Sequence, residues 1–484
     1  MNAPQAPTAR LAVVLYWTVL LVTNLDSAAL DFALPFIQRQ SPQLAYGIGW
    51  APVAYYACMA GCFAVLGFEA DRLPSRGLAL AGALAALLSC ALVGSASGAG
   101  SLVVGRGLCG IGSAMLLVAI GGELARSVAP AQQARAFGVA GSAIALALLV
   151  APPISHRIAS AGSWQWLMAF SGMGIALLAA LIRRLPRTPR PTPVDGLTPP
   201  RWITAAASGA VVVGLPVLVK AGLQLDTLVA DGALAWVGLA VAALVWGHVV
   251  ERQGARTPWL ANGAVVGINL LTFLSFASAF VLVFTLPYFA AYGAELSHLS
   301  LAVALTIFPA GLLVGSIVGA RLSRQIGALP ALVCATVGAS LVSVGYGVLM
   351  RSDALGLQAV MALSLLSGFA RGMAVTPTIL ALLESTHELQ RGAVSAMTNL
   401  VRTAGMAFGM TCASVILSRV AGDDAPTWLD SLGWLQVRDV ANATGLAFDA
   451  SIGLSLAACA CAAYLGIARG AASLQITAVK GNLT

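Results

Sequence analysis

The chain has 484 residues, of which 59% are hydrophobic and only 9% charged, with a formal net charge of +8. Soluble proteins carry about 25% charged residues, so a surface this poor in charge must face something apolar. That excludes a soluble enzyme, a secreted disulfide scaffold and a nucleic-acid-binding protein, and leaves an all-α polytopic membrane protein. Glycine, at 51 residues, exceeds the roughly 7% norm, as expected where helices pack closely in lipid.

A spanning helix needs about 20 apolar residues to cross the hydrocarbon layer. Apolar stretches predict spans near 11–37, 46–68, 78–96, 101–124, 136–154 and 165–183. Eight more are predicted near 203–222, 233–250, 264–290, 299–320, 329–350, 356–384, 391–419 and 450–469, giving fourteen. The first stretch is too long, and too acidic, for a cleaved signal peptide. With the N-terminus in the cytoplasm, seventeen of the 26 basic residues fall on the inner side, which predicts both termini inside and an even number of spans. The same bias accounts for the positive charge without a nucleic acid.

The run RRLPRTPRPTPVDGLTPPR, from Arg183 to Arg201, reads as a semi-rigid basic linker that can touch anionic headgroups. The longest outer loop, about 420–449, carries four aspartates and no catalytic pattern. There is no P-loop, so transport would draw on an ion gradient or the solute's own gradient.

Ionisable residues inside the membrane are costly, and each is a functional candidate by default. Asp26 and Asp31 lie in LDSAALDFALPFI of the first span. Five residues of helix turn by about 140° beyond one revolution, so the two do not share a face. A carboxyl in this setting suits a group that takes up and releases protons. Arg106, in LVVGRGLCGIGSA of the fourth span, is the natural partner, and Gly110 and Ala114 continue a small-residue stripe along its helix. Arg371 and Arg402 are the buried cations of the second half, expected to bind backbone carbonyls or acids across the bundle. Glu123 and Glu384 close their spans at the cytoplasmic side. Lys220 and His248 are expected to snorkel to an interface.

The eight cysteines all lie in apolar stretches and read as small apolar residues. His156 and His298 fall in short outer loops and His387 in a cytoplasmic one, so no metal-ligand cluster and no cofactor site are expected. A cavity lined by residues such as Trp50, Phe280 and Met373 would accept flat apolar molecules.

Together these motifs resemble the major facilitator superfamily, specifically its fourteen-span drug:proton antiporter branch. LDSAALDFALPFI is similar to that branch's first-helix motif, with Asp31 where an asparagine is usual. GFEADRLPSRG at 67–77 is similar to the loop motif between spans two and three, with Gly67, Asp71, Arg72 and Arg76 matching. Arg106 and Gly110 match the fourth-helix motif, with Cys109 at the usual glutamine. Trp164 and Trp166 match the pair opening span six. RGAVSAMTNLVRTAGMAFG at 391–409 resembles the span-thirteen segment, with Asn399, Arg402, Gly405 and Gly409 aligned. ARLSRQIG at 320–327 echoes the loop motif, as expected of two related halves. The span-five motif departs: its stripe reads Ala143, Ala147, Ala151, Ser155, with Pro152 kept and His156 in a glycine's place.

The resemblance implies two six-helix bundles, 1–184 and 257–484, with a basic linker and two inserted helices at 185–256. It also implies a proton-coupled exporter of amphipathic or aromatic compounds in the bacterial inner membrane, acting as a monomer on protons and a small-molecule substrate. Asp26, Asp31 and Arg106 would couple protons and bind substrate. Gly67, Asp71, Arg72 and Arg76 would form the cytoplasmic gate. Gly110, Ala147, Ala151, Pro152, Arg371 and Arg402 would pack and move the helices. A dedicated exporter or importer of one metabolite or siderophore, and a non-transporting sensor or scaffold, are the alternatives.

Overall fold

The computed structural model describes residues 7–44, 48–69, 74–128, 130–161, 163–185, 263–288, 298–350, 357–385, 391–420 and Gly453. The predicted spans near 203–222 and 233–250, the 183–201 linker beyond Leu185, the 420–449 loop and nearly all of 450–469 lie outside them.

The first six helices are α1 (Pro7–Gln40), α2 (Ala51–Glu69), α3 (Ser75–Gly94), α4 (Ala99–Ser127), α5 (Pro130–Ser160) and α6 (Gln165–Ile182). After the inserted region come α7 (Gly263–Tyr288), α8 (His298–Ile326), α9 (Ala328–Met350), α10 (Leu357–Glu384) and α11 (Arg391–Val420). Each of the eleven overlies a predicted span. Eight helices among the described residues are long and apolar enough to cross a membrane, with shorter apolar stretches at Ala51–Leu66 and Ser142–Ile158. Helix is the required form here, because lipid offers no partners for unpaired backbone groups.

Prolines mark helix starts and irregularities. Pro130 opens α5, where a missing N–H removes no helical bond. Pro152 and Pro153, Pro309 and Pro377 sit inside α5, α8 and α10, tolerated where neighbouring groups re-satisfy the freed carbonyls. Gly327 joins α8 to α9 at φ 91°, a left-handed conformation that glycine adopts without a Cβ penalty. Its N–H donates to the Ser323 carbonyl at 3.1 Å, closing α8 at the end of the sequence echo noted at 320–327. His156 lies within α5, and His298 opens α8, so neither stands in the short outer loop that hydropathy suggested.

Small residues set the packing. In the first half, α4 packs against α2 and α3, and α5 against α1. A Cβ at Gly110 would collide with the Tyr55 carbonyl oxygen of α2, so α2 and α4 are in backbone contact there. In the second half α8 lies against α10, where Gly311, Gly315 and Gly319 meet Gly368 and Gly372 from the other side. The halves touch along two seams, α2 with α11 and α5 with α8. The largest core runs through the first seam, joining Tyr56, Met59 and Phe63 to Val281, Phe284, Leu400, Ala407 and Met410.

Candidate functional site

The interior charge of the first half is gathered on one guanidinium. Arg106, 1% exposed, projects from α4 between the two aspartates of α1. Its Nη1 lies 3.5 Å from Asp26 Oδ2, and its Nη2 lies 3.5 Å from Asp31 Oδ1. The planar fork of arginine reaches both carboxylates.

The contacts are charge pairs with loose hydrogen bonding. Asp26 Oδ1, Asp31 Oδ1, Arg106 Nε and Arg106 Nη2 are all enclosed, and none has a hydrogen-bond partner. Buried polar groups normally have partners, so this arrangement is held by charge and packing, with bonding capacity left over. Such a cluster is sensitive to the gain or loss of one proton, because removing one charge leaves another uncompensated.

Hydropathy did not identify the rest of the shell. The Cys109 thiol, one turn beyond Arg106, donates to Asp26 Oδ2 at 3.1 Å, so this cysteine is more than an apolar filler. The Tyr55 ring lies 4.6 Å from Arg106 Cζ, a cation–π contact made possible by the close approach at Gly110. Tyr55 also donates to Ser113 Oγ at 3.3 Å. Tyr56 packs edge-on against Tyr55 and shares a 3.0 Å hydrogen bond with Ser27. Both of those hydroxyls face the Asp31 carboxyl. On its other side Tyr56 meets Phe280 of α7, ring centroids 5.3 Å apart, which ties the cluster to the second half. The helical i+3 spacing of Arg106 and Cys109 was a legible hint; the tyrosine positions were not.

The stripe on α5 is buried throughout: Ala143, Ala147 and Ala151 are at 0% exposure and Ser155 at 1%. Ser155 donates to the Ala29 carbonyl of α1 at 2.7 Å, midway between the two aspartates, and Pro152 is buried beside it.

The helix ends expected on the cytoplasmic side are tied within the first half. Arg76 donates to the Leu185 carbonyl at 3.1 Å, and Arg126 reaches Ser75 and, at 3.3 Å, Glu123. Asp71 and Arg72 lie outside the described residues, and Gly67 is described only as a position in α2. In the second half, Arg371 donates to the hydroxyls of Ser367 and, at 2.9 Å, Ser278. Arg402 lies over the Phe276 ring, 5.8 Å from Cζ to centroid. Trp164 is buried and donates to Ser41 at 3.1 Å, whereas Trp166 is exposed. Among the described residues no group of His, Cys, Asp and Glu is placed to hold a metal.

Similarity to known proteins fits this architecture. The Major Facilitator Superfamily profile matches residues 16–410. The multidrug transporter protein MdtP of Bacillus subtilis is 23% identical over 427 residues, covering 84% of this chain and 76% of that protein. The xylose transporter XylE of E. coli, 13% identical, superposes with a TM-score of 0.60 over 93% of this chain and 97% of its own. A peptide transporter, POT, solved with sulfate, is 14% identical and superposes at 0.65 over 94% and 95%. The family profile spans both halves and the shared fold covers nearly the whole chain, so this protein belongs to the Major Facilitator Superfamily and is a multi-pass membrane transporter of small molecules, not an enzyme.

Proposed function

We propose that the chain is a proton-coupled exporter of amphipathic or aromatic organic compounds, working by alternating access. In this reading it has fourteen spans: two six-helix bundles, 1–184 and 257–484, with the 185–256 linker and two inserted helices between them. It sits in the inner membrane of a bacterium with both termini in the cytoplasm, acting as a monomer. The observation that carries the reading is the pair of membrane-buried carboxylates sharing Arg106.

The chemistry follows from charge balance. With both aspartates ionised, two negative charges face one guanidinium, and a proton on either carboxyl neutralises the excess. Protonation also releases one arm of Arg106, weakening the hold of α4 on α1. Because Tyr56 links this cluster to Phe280 of α7, a change there is felt at the seam between the halves. Movement along the α2–α11 and α5–α8 seams would then expose the site to one side of the membrane at a time. The Gly67–Arg76 segment would close the cytoplasmic side.

Proton release or uptake by the purified protein, measured on adding candidate compounds at several pH values, tests this. Proton movement lost in Asp26→Asn or Asp31→Asn is the expected outcome. Binding without proton movement in the wild-type protein would sink the coupling and leave a uniporter.

A further inference from the structure

Arg402 differs from the buried arginines Arg106 and Arg371. Arg106 faces two carboxylates, and Arg371 sits among serine hydroxyls. Among the described residues Arg402 makes no hydrogen bond and no ion pair. Its Nε is enclosed without a partner, which leaves the two Nη atoms as the accessible end of the fork. The described acids deep in the spans are committed elsewhere, Asp26 and Asp31 to Arg106 and Glu123 to Arg126, while Glu384 stands exposed at the end of α10.

The surroundings say what would complete it. Arg402 stands about 16 Å into α11, well within the membrane. It lies over the Phe276 ring of α7 and within electrostatic reach of Tyr16 of α1 and Tyr56 of α2. Elements of both halves therefore converge on it. A guanidinium in lipid without a counter-charge is costly, and an anion arriving between the halves would relieve that cost. The fork suits the two oxygens of a carboxylate or sulfonate, and phenol hydroxyls can donate to the same group. Phe276, Tyr56 and Phe280, the last stacked edge-on against Tyr56, offer ring surfaces to a flat body.

We infer that Arg402 is an anion-binding subsite of the translocation path, taking the carboxylate or sulfonate of an aromatic substrate whose ring lies against Phe276 and Tyr56. This rests on the exporter reading and narrows its substrate class.

The test compares a fluorescent aromatic acid, dansylglycine, with its uncharged methyl ester on the purified full-length protein. Binding of the acid should be about ten- to a hundredfold tighter, the range a hydrogen-bonded charge supplies. Arg402→Gln should remove that preference while leaving ester affinity nearly unchanged, which also shows that the variant is folded. Arg402→Lys should keep part of it, since charge remains but the fork is lost. A Phe276→Trp reporter, which keeps Arg402, should be quenched by the bound acid and so locates the site even if Arg402→Gln fails to fold. Equal affinity for acid and ester, a preference that survives Arg402→Gln, or an unquenched reporter would overturn the assignment. The coupling reading stands or falls separately: proton release unchanged in Asp26→Asn and Asp31→Asn takes the coupling away from those carboxylates, while an acid preference keeps the subsite.

Discussion

Ser278 holds in the second half the register that Asp26 holds in the first. Each stands nine residues before a Leu-Pro proline, Pro287 and Pro35, and each meets an arginine of its half's fourth helix, Arg371 and Arg106. A hydroxyl therefore replaces a carboxylate at the repeat-related position. In the proposed mechanism this makes proton chemistry a property of the first half alone.

That asymmetry gives a paired expectation. Ser278→Ala removes the closer of two hydroxyls on Arg371 Nη2, leaving that of Ser343 at 3.5 Å, a loss of about 0.5–1.5 kcal/mol. The melting temperature of the purified protein should fall, while proton release on adding substrate stays as in the wild type. Loss of proton release in this variant would count against confining the coupling to Asp26 and Asp31.

Arg106→Gln removes the positive charge that bridges two buried carboxylates. Breaking such a pair costs about 3–5 kcal/mol, so yield and melting temperature should both drop. Adding Asp26→Asn and Asp31→Asn to it should recover much of the stability, because no uncompensated charge remains. Additive losses across this set, read as a mutant cycle, would show that the three side chains do not act as a unit.

Two glycines on the same helix should respond in opposite directions. A Cβ at Gly110 collides with the Tyr55 carbonyl oxygen, whereas nothing lies within 4 Å of one at Gly100. Gly110→Ala should destabilise by about 1–3 kcal/mol through forced separation of α2 and α4. Gly100→Ala should be neutral or stabilise by roughly 0.5–1 kcal/mol, the helix propensity difference. Thermal unfolding of both variants in detergent decides this.

Ala147 tests the stripe on α5. It is fully buried on the helix that packs against both α1 and α8. Ala147→Leu should cost about 1–3 kcal/mol by overpacking and should slow transport in vesicles. Ala147→Gly, which keeps the close approach, should retain most of the wild-type rate. Equal rates for the two variants would mean that this contact does not move during transport.

The spans were readable from the sequence because membrane insertion depends on runs of apolar residues, a local property of the chain. Asp26, Asp31 and Arg106 were readable for the complementary reason: an ionisable side chain in such a run is expensive and must be used. The tertiary structure alone decided which groups meet. Cys109 became a donor to Asp26 because α4 faces α1 at that turn, and Tyr55 reached Arg106 because Gly110 admits α2. Arg371 lies among serines and Arg402 over a phenylalanine because α7 packs against both α10 and α11. Apart from Arg371 and Ser367, one turn apart on the same helix, those pairings join residues 28 to 126 positions apart in the sequence, and no local pattern records a helix's rotation toward its neighbours. Hydropathy places a residue in the membrane, and only packing decides what it faces there.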